Sequence, residues 1–111
     1  MDILVVGRQA QVVTAAETGL DLPDVRVHGA TTEAELDAVM ASQPIAHVFM
    51  GPALPIETRL AMIETIVRSS DTTCVHLKDF SRGPEGALDF IRGIVRGLDA
   101  EYYPDRAGRP V

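Results

Sequence analysis

Lys78 and Asp79 stand side by side at the end of the run "TTCVHLKD" (72–79), and their types suit them to chemistry. A lysine there serves as a nucleophile or an electrostatic stabiliser, and its neighbour as a general base. Their other reading is a pair of solvated loop charges. Arg8 and Gln9 follow the first apolar run, His28 falls near the end of the second, and Gly51 closes the third. Arg8, Gln9, His28, Gly51, Lys78 and Asp79 together form a candidate ligand-binding set suited to an anion. Ser81, His76 and Asp79 have the types of a nucleophilic triad. They lie too close in sequence to converge easily, and no GxSxG turn accompanies them. The histidines His28, His47 and His76 fall on three different segments, His47 at the start of its own. Metal ligands must all lie ~2 Å from one ion, so no metal site is expected. "GRQAQV" has one glycine where a dinucleotide fingerprint needs three, and no GxxxxGK[ST] occurs, so no cofactor is expected.

These residues sit at the ends of regularly alternating segments. "DILVVG" (2–7) and "AHVFMG" (46–51) are continuous apolar runs, which is how strands buried on both faces read. "VRVHGA" (25–30) and "TTCVHLKD" (72–79) alternate instead, as half-exposed strands do, with Val75 and Leu77 on one face and His76 and Lys78 on the other. Four helical segments lie between and after them. Val12, Val13, Ala16 and Leu20 form the apolar stripe of the first. Leu36, Val39 and Met40 form that of the second, which opens with Thr32 and Glu35 in capping-box spacing. Ile56, Leu60, Ile63 and Val67 repeat at helical spacing in the third. Leu88, Ile91, Val95 and Leu98 do so in the fourth, which Pro84 fits as a first residue. Four βα units predict a three-layer α/β/α fold with a four-stranded parallel sheet. With the alternating strands at the edges and right-handed crossovers, the strand order is 2-1-3-4. Residues 1–100 form one domain, and the aperiodic "EYYPDRAGRPV" (101–111) reads as a tail with Tyr102 and Tyr103 as its anchor.

The chain has 111 residues, 46% of them hydrophobic, enough for one core. Its net charge of −6 and its scattered Lys and Arg point away from nucleic acid. No apolar run approaches the ~18 residues of a membrane span and the N-terminus starts directly in a strand, so a cytoplasmic protein is expected. The lone Cys74, inside an apolar run, reads as a small buried hydrophobe.

"HVFMGPALP" (47–55) resembles the third strand and following loop of response-regulator receiver domains. In that family an aspartate ends the strand and a proline follows four residues later; Gly51 and Pro55 hold those places here. "HLKDFSRGPEGALDFIRGIVRGL" is similar to the family's last strand and helix. Lys78 matches its lysine and Phe80 its aromatic, while Asp79 replaces its proline. The acidic pair that holds Mg²⁺ in the family is replaced by Gly7, Arg8 and Gln9, and one βα unit is missing before the Lys78 strand. The resemblance therefore implies a shortened, flavodoxin-like receiver domain without ligands for metal or phosphoryl group. Gly51 is then expected to let the backbone turn closely at the sheet's rim.

Two functions stay open on this basis. One is a non-phosphorylatable regulatory or protein-interaction module. The other is a small-molecule binding protein or small enzyme that takes an anionic ligand at the rim. Self-association is expected too. Gly93 and Gly97 lie four apart in "GIVRG", with Phe90 and Ile94 beside them outside the inward stripe. A homodimer would use that helix or the edge of the fourth strand.

Overall fold

The computed structural model describes residues 1–83 and 86–97. The expectations for Pro84, Leu98 and the 101–111 tail therefore lie outside the described residues. The elements alternate as β1 (Asp2–Val6), α1 (Ala10–Gly19), β2 (Arg26–Ala30), α2 (Glu33–Ser42), β3 (His47–Met50), α3 (Ile56–Ser69), β4 (Cys74–Leu77) and α4 (Gly86–Gly97). All three strand pairings are parallel, and the order is β2-β1-β3-β4. This is the expected flavodoxin-like three-layer arrangement.

Alternate side chains of the central strands fill the two cores. Leu4, Val6, Val48 and Met50 pack with Leu36 of α2 and with Met62 and Ile66 of α3. Ile3, Val5 and Phe49 pack on the opposite face with Ala16 of α1 and with Ile91 and Val95 of α4. The continuous apolar runs of β1 and β3 follow directly from this two-sided burial. Thr32 caps α2 by accepting from the Glu35 N–H (3.1 Å). The Glu35 carboxylate turns back one residue further than a capping box requires, accepting from the N–H and hydroxyl of Thr31. Those bonds, the Thr31 N–H first, hold its pKa below the usual carboxylate value.

Four sequence expectations change. The helical repeat Ile56, Leu60, Val67 is not the inward side of α3. All three are exposed, and α3 buries Met62 and Ile66, roughly a third of a turn away, with only Ile63 at the boundary. Cys74 is exposed and not buried, because it stands at the very start of the edge strand β4. Phe90 and Ile94 pack against the core on the α1/α4 side, Phe90 edge-on to Phe49. Gly51 is not a close-turn position. A Cβ there would meet Val6 O at 3.5 Å and Gly7 Cα at 3.9 Å, which is ordinary contact.

Close approach occurs instead at Gly29, where a Cβ would drive into the Val13 side chain of α1, and at Gly86, where it would lie 2.7 Å from Arg82 Cβ. One anchoring residue gave no signal in the sequence. Arg92 of α4 donates to the carbonyls of Gly19 (2.7 Å) and Leu20 (3.1 Å), satisfying the end of α1.

Candidate functional site

The carboxyl ends of β1 and β3 open into a cleft of about 240 Å³, in the place where such sheets bind ligands. Arg8, Gln9, Gly51, Lys78 and Asp79 all line it, with Gly7, Val12, Phe80 and Ala87 supplying apolar wall. Five of the six candidate ligand residues are thus brought together. His28 is not among them. It lies mid-strand on β2, opposite Leu4, and its Nε2 donates to Asp2 Oδ1 (2.9 Å).

Lys78 is only 9% exposed, and its ammonium is committed locally. It donates to the carbonyls of Asp79 (3.0 Å) and Ser81 (2.6 Å), with the Asp79 carboxylate at 3.9 Å. The 79–83 loop is wound over it through Arg82 and Gly83, both in the left-handed region (φ 62 and 58). Asp79 Oδ1 accepts from the Ser81 hydroxyl (2.6 Å) and N–H (3.1 Å). These two bonds, the hydroxyl's first, lower its pKa and leave it a weak base. The hydroxyl donates straight to the carboxylate, and the Nε2 of His76 is engaged by His47 Nδ1 at 3.0 Å. Ser81, Asp79 and His76 therefore form no nucleophile–base–orienter chain. What this end of the sheet offers chemically is a mostly apolar notch, with one tied cation in its wall and Arg8 exposed at its lip.

Two of the three histidines do meet, though away from the cleft. His47 is buried at the start of β3, and His76 of β4 shares a hydrogen bond with it and stacks on Phe49 (centroids 4.8 Å apart). Burial lowers the His76 pKa. Among the described residues no group of three or more His, Cys, Asp or Glu side chains is arranged to hold a metal ion.

A second surface stands out on the β4 side. Ile56, Leu60 and Val67 of α3, with Leu77 of β4 and Phe80 beyond it, are between 51% and 73% exposed. The α3 trio lies along one stripe, on the side of the helix away from the small residues Ala61 and Thr65. Leu77 shares its sheet face with Val75, which packs against the α2/α3 core, so stripe and strand form one flank. The width of the apolar arc on α3, where Met62 and Ile66 join the Ile56 repeat, was the sequence signal for this second face. Of the earlier interface candidates, Gly93 and Gly97 are exposed with open space where a Cβ would stand, whereas Phe90 and Ile94 belong to the core margin.

No helix among the described residues is long and apolar enough to cross a membrane. No family model, curated protein or solved structure matches the chain.

Proposed function

We propose that the chain is a non-catalytic protein-interaction module built on a receiver-like scaffold that does not accept a phosphoryl group. A protein partner, including self-association, is part of this proposal. The observation that carries it is the apolar flank of α3 and β4, where Ile56, Leu60, Val67 and Leu77 stand in solvent beside an open strand edge. Contiguous exposed apolar surface of this kind marks interaction sites. The rim supports the same reading. Gly51 has no carboxylate to phosphorylate, and the Lys78 ammonium is held by backbone carbonyls.

Two measurements test it. Incubation with acetyl phosphate and Mg²⁺ should leave the intact mass unchanged, and a stable acyl phosphate would overturn the proposal. In dilute solution an apolar-surface dye should bind the chain and lose that binding in Leu60→Glu, whose side chain is more than half exposed.

The cleft favours a second reading, a site for a small anion with an apolar body, because Arg8 and Lys78 border an apolar notch. A thermal-shift screen of metabolites discriminates, since a ligand at 100 times its Kd stabilises by about 2.7 kcal/mol.

A further inference from the structure

We infer that the α3/β4 flank is occupied by a second copy of this chain, the two β4 edges pairing antiparallel about a two-fold axis at His76. This rests on the interaction-module reading and names its partner.

The open edge of β4 has a self-complementary hydrogen-bond pattern. Cys74 N–H donates to Ala46 O and Lys78 N–H to Met50 O, so the even-numbered residues of β4 bond inward to β3. The N–H and C=O of Val75 and Leu77 consequently point away from β3, toward the open side. A two-fold axis at His76 sets Val75 of one copy opposite Leu77 of the other, and the reverse. Each pair exchanges both of its N–H···O=C bonds, so the edge is complementary to itself without adjustment. Two four-stranded sheets become one continuous sheet, and each loses its open β4 edge.

The same symmetry brings the two apolar flanks together. An axis perpendicular to the sheet keeps the two α3 helices on the same face. A crossover helix lies above the strands it joins, so with strands ~4.8 Å apart the two α3 axes come within roughly 10 Å of each other. That is a helix-packing distance, and the sides that meet carry Ile56, Leu60 and Val67. Leu77 of each copy lies against Val75 of the other beneath them.

Ile56, Leu60, Val67 and Leu77 are 51% to 64% exposed, and at on the order of 100 Å² each two copies bring up to roughly 800 Å² of apolar surface to the contact. The β4 backbone and the polar margin take the contact past the ~1,000 Å² expected of a specific interface.

The test combines sedimentation equilibrium with a register-specific cross-link. The full chain should change from monomer to dimer as concentration rises through the micromolar range, and Leu77→Lys should weaken the dimer at least about 30-fold. Leu77 is exposed, so circular dichroism and the dilute melting temperature should stay unchanged in that variant. In a Cys74→Ser background, His76→Cys should form an intermolecular disulfide on mild oxidation. Residue 76 faces its own copy across the axis at ~4.5 Å between Cα atoms, within disulfide range. Native Cys74 lies two residues off the axis, about 13 Å from its copy, and should not cross-link. A dimer that survives Leu77→Lys, with no cross-link from the His76→Cys variant, overturns the edge pairing. A monomer at high micromolar concentration overturns the second copy. If that monomer still binds an apolar dye in a Leu60-dependent way, the interaction module stands with a foreign partner; if it binds none, both fail.

Discussion

At one edge of the sheet, β2 stands behind charge. Asp2 of β1 accepts from His28 (2.9 Å) and lies 3.5 Å from Arg26, so the outer strand carries a polar cluster. At the other edge, β4 offers Leu77 and a helix stripe of Ile56, Leu60 and Val67. Both are edge strands of one parallel sheet, with the same ladder on their inner sides. Charge at an edge discourages pairing with another chain, and apolar surface invites it. The β2 edge is therefore guarded by charge, whereas the β4 edge is left apolar and open.

The sharpest way to test that contrast is within α3 itself. Met62→Ala should cost about 2–5 kcal/mol in urea denaturation, because it opens a cavity in the α2/α3 core. Leu60→Ala, on the exposed side of the same helix, should change dilute-chain stability by no more than about 0.5 kcal/mol. Equal losses would mean that the flank is buried in the monomer.

The β2 side has its own sensitive point. Gly29→Ala places a methyl group against Val13, and overpacking there should cost about 1–3 kcal/mol. A neutral result would show that α1 is not seated closely on β2.

Acid should reach the two edges in sequence. Burial sets the folded pKa of His76 below its ordinary 6.5, so the unfolded chain takes up the proton first. Stability from the β4 side is therefore complete above about pH 6.5 and declines as pH falls from there. Asp2 has its pKa lowered from 3.8, chiefly by the His28 hydrogen bond. Its contribution is present above that value and is lost only as pH falls below it. Denaturation midpoints across pH 7 to about 3 should show the His76 decline first, and His76→Gln should remove it. A flat profile down to about pH 5 would contradict the assignment.

Strand order was legible because burial on both faces leaves an unbroken apolar run, as in "DILVVG", while an edge strand alternates. The rim set was legible for a related reason, since the ends of β1, β3 and β4 must converge at one end of a parallel sheet. His28 escaped, because the register that sets it opposite Leu4 and within reach of Asp2 is a tertiary fact. The buried side of α3 escaped as well. Periodicity identifies an apolar stripe but not which of two stripes meets the sheet, and the longer repeat proved to be the solvent one. The local ties of Lys78 depend on a loop whose left-handed residues include Arg82, a type that gives no warning of that conformation.

Amide hydrogen exchange, followed by NMR at low and high micromolar concentration, separates the two edges. The outward amides are Val27 and Gly29 on β2 and Val75 and Leu77 on β4. Val27 and Gly29 should exchange fast at every concentration. Val75 and Leu77 should exchange fast in dilute solution and become protected as concentration rises, together with the Leu60 and Val67 side-chain resonances shifting. Both edges exchanging alike at all concentrations would contradict pairing of the β4 edge with a second copy.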